Sequence, residues 1–269
     1  MLTCDDIEAA GDRPVVVLLH GFACNRTMWH HQARFLQGRA HVIAVDLPGH
    51  GQTRMPADPA SHTEDGIADL VCAELEERGI RRAVMVGFSM GGGVALNMAS
   101  RHPLSVGGLL LADVGGGSAD PVAHRATMRT YTQMLETEGL DAFVDYLIQT
   151  PIFCDFANRD SASHDAMRSI MMTCDPEELT LILDGVLSRR KPVQERDLEA
   201  ISVPTEVLLG EFDAQCRQSS AELAGRIVGA EHTVLQGIGH MTPLENPQAF
   251  NSVLARLLSR VENHASHQR

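Results

Sequence analysis

The chain has no basic cluster longer than Arg189-Arg190-Lys191, and its formal net charge is −13. Like charge repels polyanions, which excludes nucleic acid and anionic membranes as natural partners. The acidity is read as an aid to solubility. None of the six cysteines (Cys4, Cys24, Cys72, Cys154, Cys174, Cys216) forms a C-x-x-C pair. That argues against a close-pair zinc site and against the disulfide framework of a small secreted fold. No apolar run approaches the roughly 20 residues that a membrane helix needs. Internal repeats and low-complexity tracts are missing too. The first residues, MLTCDDIEAAGDR, are acidic and polar, the opposite of a signal peptide. A reducing, cytoplasmic setting is the expectation.

What is present is a chain of 269 residues, 44% hydrophobic, enough for a substantial core. Short apolar runs alternate with longer helical patterns. PVVVLLHG (14–21), AHVIAVDLPG (40–49), RAVMVGFS (82–89) and GGLLLADVGG (107–116) read as buried strands, continuous rather than alternating. VPTEVLLGEFD (203–213) and EHTVLQGIGH (231–240) continue the series. Helices are expected over 27–37, 63–78, 90–101 and 246–261, with the final NHASHQR fraying. Strand–helix–strand alternation implies an α/β fold, a doubly wound and mostly parallel sheet with helices on both faces.

Between about 117 and 195 the rhythm breaks. PVAHRATMRTYTQMLETEG, LDAFVDYLIQT, ASHDAMRSIMMTC and PEELTLILDGVLSRR read as four helices without a strand. The division is therefore a core domain, 1–116 and 196–269, and an inserted helical cap, 117–195. The cap methionines Met128, Met134, Met167, Met171 and Met172 either offer an adaptable apolar wall or fill the cap's own core.

One small hydroxyl stands among glycines in Gly87-Phe88-Ser89-Met90-Gly91. Composition alone gives G-x-S-x-G about one chance in ten here, so the context decides. The motif follows an apolar strand and opens a helix of small residues, the setting of a strained nucleophile elbow. The Met90 N–H, unpaired at that helix start, can face an oxyanion. A serine needs a base, and the base an orienting acid. His240 closes one late strand and Asp213 the strand before it, so both share a rim with Ser89. Asp113, ending the fourth strand, is a rival acid, and Glu211 a weaker one. His20 and His50 flank glycines after strands and are expected to shape loops. His30, His31, His102, His124 and His164 read as solvated.

These residues together, His20-Gly21-Phe22, Asp46-Leu47-Pro48-Gly49-His50-Gly51, Gly87-Phe88-Ser89-Met90-Gly91-Gly92, Asp213 and His240, resemble the α/β-hydrolase superfamily. The likeness spans nearly all of the chain outside the cap. It implies Ser89 as nucleophile, His240 as general base and acid, and Asp213 as orienting acid. The oxyanion donors would be the backbone N–H groups of Phe22 and Met90. Neither cofactor nor metal is implied. Small esterases, enol-lactonases and meta-cleavage C–C hydrolases look most similar. Members of the superfamily usually start with two strands before the H-G loop. Only 13 residues precede Pro14, so one of those strands should be missing or very short. A serine in the elbow disfavours the branches with a carboxylate nucleophile.

The activity expected is hydrolysis of small or medium acyl esters through an acyl-enzyme on Ser89. Enol-lactone or C–C bond hydrolysis is the alternative on the same triad, perhydrolysis a side reaction, and a non-catalytic ligand receptor the reading from another class. A small-molecule ester or lactone is thus the partner, with the oligomeric state open. A carboxylated substrate needs an inward arginine. The cap arginines considered, Arg125, Arg129, Arg159 and Arg168, should mostly face solvent, which favours an uncharged ester.

Overall fold

The computed structural model describes residues 2–11, 13–115 and 121–267. Seven strands form one sheet in the order β1-β3-β2-β4-β5-β6-β7. They are β1 Cys4–Ile7, β2 Val15–Leu19, β3 His41–Val45, β4 Ala83–Phe88, β5 Val106–Ala112, β6 Thr205–Gly210 and β7 Glu231–Leu235. Only β1 runs antiparallel, beside β3, and every other pairing is parallel. Among the described residues one strand, β1, comes before β2, the strand that leads into the H-G loop.

Side chains alternate across each strand, so the two faces bury different residues. Val16 and Leu18 of β2 join one apolar cluster, Val17 and Leu19 the other. On the first face lie α1 (His30–Leu36) and, far along the chain, α10 (Pro247–His267). Trp29, just before α1, packs on Phe250 of α10 with ring centroids 5.8 Å apart. On the second face lie α2 (Glu64–Glu77), α3 (Met90–Arg101) and later α8 (Arg217–Arg226). This is the doubly wound α/β arrangement. The last helix continues to His267, past the expected end at 261, because no glycine or proline stops it.

The described residues between β5 and β6 form helices joined by turns, with no strand among them. It holds α4 (Pro121–Ile148), α5 (Cys154–Ala157), α6 (Ser161–Met171), α7 (Pro176–Leu181) and a π-helical turn, Ile182–Leu187. The first two expected helices meet at Gly139, whose φ of 84° breaks the α4 backbone where the sequence divided them. The expected division of strand from cap at 116/117 lies outside the described residues. Short α9 (Thr242–Glu245) precedes α10. No helix among the described residues is long and apolar enough to cross a membrane.

Candidate active site

The parallel strands all point their carboxyl ends at one edge, and the candidate residues follow those ends. Ser89 is the residue after β4, with φ 52° and ψ −112°. Its N–H donates to Ala112 O at 2.9 Å, so the sheet ladder itself holds the strained backbone. Room for the sharp turn comes from Gly91, where a Cβ would collide with Leu19 O and lie 2.5 Å from His20 O. Phe88 and Met90 are buried on either side, while Ser89 remains partly exposed. A hydroxyl is thereby aimed at open space from a rigid corner.

His240 and Asp213 are both buried, and His240 Nδ1 lies 2.6 Å from Asp213 Oδ2. The other Asp213 oxygen accepts from the Cys216 N–H at 3.1 Å. Burial by itself would raise the Asp213 carboxyl, but the hydrogen bond and charge of His240 outweigh it and hold the group below its usual value. Asp113, also left-handed with φ 50°, accepts from the Gly210 N–H at 2.8 Å and Thr242 Oγ1 at 2.5 Å. Burial and then the Asp213 charge push its carboxyl well above the usual range. The two neighbouring carboxyls are thus driven in opposite directions. Asp213 is suited to stay charged against an imidazole, and Asp113 ties the end of β5 to the end of β6 and the start of α9. Glu211 instead accepts from the Gly237 N–H at 2.7 Å, closing the turn after β7.

Two further members leave no mark in the sequence pattern. Glu245 Oε2 and Oε1 accept from the Gly239 and Met241 N–H groups, each at 3.0 Å, gripping the backbone on both sides of His240. Cys216 places Sγ 3.2 Å from Asp113 O, donating to it, and 3.8 Å from His240 Nδ1. Burial, then the charges of Asp213 and Asp113, push its thiol well up. Asp213, Cys216 and His240 offer donor atoms within 4.8 Å of one another. Two ligands of one tetrahedral zinc sit about 3.3 Å apart. The 2.6 Å between Nδ1 and Oδ2 is a hydrogen-bond spacing instead.

Phe22 lies on the loop after β2, and two buried histidines fix that loop. His50 Nε2 accepts from the Ala23 N–H at 3.1 Å, holding Ala23 at φ 55°. His20 Nε2 accepts from the Leu47 N–H at 2.9 Å. Burial lowers His20 to about 4. Burial, with the His20 charge next, lowers His50 to about 3. Both are therefore neutral loop supports near neutral pH. Asp46 braces the same region, accepting from the Arg26 and Gln52 N–H groups at 2.8 and 2.9 Å.

A cavity of about 710 Å³ opens over this edge, reached by Ser89, His240, Phe22 and Met90 together. The insertion supplies Met128, Tyr131, Tyr146, Leu147, Ile152 and Phe153 as an apolar wall. Of the five methionines considered, Met128 alone is among the lining residues, while Met167 and Met171 are buried in the first cluster. His124, expected to be solvated, also lines the cavity, with Nε2 2.9 Å from Leu187 O. His102 pairs with Asp69 at 2.7 Å. The four arginines considered stay away from the cavity. Arg168 pairs with Asp141 and Asp145, Arg159 donates to Glu245 O, and Arg125 and Arg129 line a separate outer cleft. The arginine that lines it is Arg190.

A mostly parallel sheet with a serine elbow, and a buried acid–imidazole pair on the same edge, define the class of α/β hydrolases. The model of the alpha/beta hydrolase family matches residues 16–253, and the chain belongs to that family. It is 27% identical over 282 residues to monoacylglycerol lipase abhd6-A of Xenopus laevis, covering 96% of this chain and 80% of that one. It is 28% identical over 255 residues to 2-succinyl-6-hydroxy-2,4-cyclohexadiene-1-carboxylate synthase of Klebsiella pneumoniae (strain 342), covering 91% and 94%. Of another relative, the chloroplastic protein PHYLLO of Arabidopsis thaliana, the chain spans 16% of the length at 25% identity. Among solved structures, a thermophilic esterase from Thermogutta terrifontis superposes with a TM-score of 0.85 at 27% identity, over 97% of this chain and 93% of that one.

Proposed function

We propose that this protein is a serine hydrolase that cleaves carboxylic esters of small or medium acyl chains. The supporting observation is that His240, 2.6 Å from Asp213, lines one cavity with a serine held at φ 52°. In this reading His240 takes the Ser89 proton as Oγ adds to the ester carbonyl carbon. The Phe22 and Met90 N–H groups receive the resulting oxyanion. The C–O bond to the alcohol then breaks, with the His240 proton going to the leaving oxygen. Water, deprotonated by His240, releases the acid and restores Ser89. Asp213 keeps the imidazole oriented and stabilises its charged form. Residues 117–195 act as a cap that selects the acyl group, and 1–116 with 196–269 as the core that carries the chemistry. Six free thiols fit a reducing, cytoplasmic setting.

Cleavage of a carboxylated enol-lactone or diketone is the second reading, and the arginine in the cavity is what favours it. Arg190 is already engaged by Glu64, 2.8 Å away, so its charge does not call for a substrate anion. The deciding experiment compares kcat/KM for p-nitrophenyl butyrate with that for a carboxylated dienoic C–C substrate. The ester should be preferred, and Ser89→Ala should abolish both activities. A preference for the carboxylated compound that Arg190→Gln removes would overturn the ester reading.

A further inference from the structure

Glu64 opens α2, yet its side chain is only 5% exposed. Arg190, near the end of the insertion, and Arg196, just after it, meet it there. Arg190 Nε lies 2.8 Å from Oε1, and Arg196 Nη2 donates to Oε2. Their side chains are 8% and 7% exposed. Arg196 continues to Asn97 Oδ1 on α3 at 2.5 Å, and Asn97 Nδ2 donates to Asp65 at 2.8 Å. Arg190 continues to the nucleophile itself, with Nη2 donating to Ser89 O at 3.2 Å. Gly93, just after the elbow, makes this possible. A Cβ at Gly93 would run into Glu64 Oε1 and lie 2.8 Å from Arg190 Nη2.

Burying three charges costs more than joining the insertion to the sheet by apolar packing. What apolar packing cannot supply is a cation at the carbonyl of the nucleophile. Among the described residues, the trio of Glu64, Arg190 and Arg196 carries one net positive charge beside the elbow. We propose that Arg190, anchored by Glu64, is a positioning residue for Ser89 that fastens the elbow to the insertion and favours the negative charge of the transition state. The inference rests on the serine-hydrolase reading.

The test uses the full chain with Arg190→Gln, Arg190→Lys and Glu64→Gln, following kcat and KM for p-nitrophenyl butyrate from acid to alkaline pH. Arg190→Gln should lower kcat roughly ten- to a hundredfold with KM little changed, and Arg190→Lys should recover part of the loss. Removing a cation should move the acid limb of kcat/KM upward, and removing the Glu64 anion should move it downward, each by about half a unit. The other charged groups around His240 are common to all variants: Asp213, Asp113, Cys216 and Glu245 from the core, with Asp155 and Arg159 from the insertion. A purely structural tie would lower the melting temperature and leave the limb in place. Wild-type kcat in Arg190→Gln, or limbs moving the same way in both charge variants, overturns the proposal. If Arg190→Gln does not fold by circular dichroism, an unmoved limb in Glu64→Gln overturns it just as well. Activity surviving in Ser89→Ala would sink the hydrolase reading instead, so the two failures are told apart.

Discussion

The carboxyl edge of the sheet and the helical insertion above it are built by different means. At the edge, three non-glycine residues sit at positive φ, Ala23, Ser89 and Asp113, each held by a hydrogen bond from its own N–H. Such strain persists only where the surroundings over-determine it. In the insertion, short helices pack through methionine and aromatic side chains such as Phe143, Met167 and Met171, which can repack at small cost. Fixed groups suit bond making, which tolerates little misplacement. An adaptable wall suits a choice among acyl chains. Arg190 crosses between the two regions, from the end of the insertion to the backbone of Ser89.

The sharpest break in this comparison comes from the two neighbouring aspartates. Asp213→Asn should lower kcat by roughly ten-thousandfold, since the imidazole loses its orienting charge. Asp113→Asn should cost far less activity, because its bonds go to Gly210 and Thr242 and not to His240. Steady-state kinetics on folded variants check this, and a larger loss from Asp113→Asn would reverse the two roles.

A change in the apolar wall should separate selectivity from chemistry. Tyr131→Ala enlarges the cavity between Met128 and Tyr146 without touching the edge. It should shift the preferred p-nitrophenyl ester toward longer acyl chains by about tenfold in relative kcat/KM, leaving acetate turnover within about threefold. An unchanged chain-length profile would place the acyl site elsewhere.

The two loop histidines give the edge a pH-dependent stability. Their folded values, about 4 for His20 and about 3 for His50, lie below the ordinary 6.5. Between those values the unfolded chain binds more protons, so stability is full above 6.5 and is lost as pH falls toward 4. Each site contributes up to about 1.4 kcal/mol per pH unit in that window. Urea midpoints measured from pH 7 to 4 should fall, and His50→Gln should flatten the slope.

The sheet was legible because buried parallel strands are unbroken apolar runs, as in VVVLL and VGGLLLA. The elbow was legible because glycine surrounds one serine, and the Asp213–His240 pair because each residue follows a strand. Glu245 was hidden because it acts through main-chain N–H groups, which leave no side-chain pattern. Glu64 and Arg190 were hidden because surface-type residues lie buried against partners more than a hundred positions away. His124 faces the cavity only because α4 happens to cross over it, which helical spacing alone does not reveal.

The smallest effect belongs to the insertion alone. Gly139→Ala places a side chain at φ 84° and should destabilise by about 1 kcal/mol, with wild-type kinetics. Reduced turnover there would mean that the break in α4 is part of the catalytic edge.

Covalent labelling of the nucleophile tests the central reading most directly. The protein is treated with a fluorophosphonate and its peptides are read by mass spectrometry. The adduct should sit on Ser89, form much more slowly in His240→Ala, and vanish in Ser89→Ala. An active protein that carries the adduct elsewhere, or none at all, would contradict Ser89 as the nucleophile.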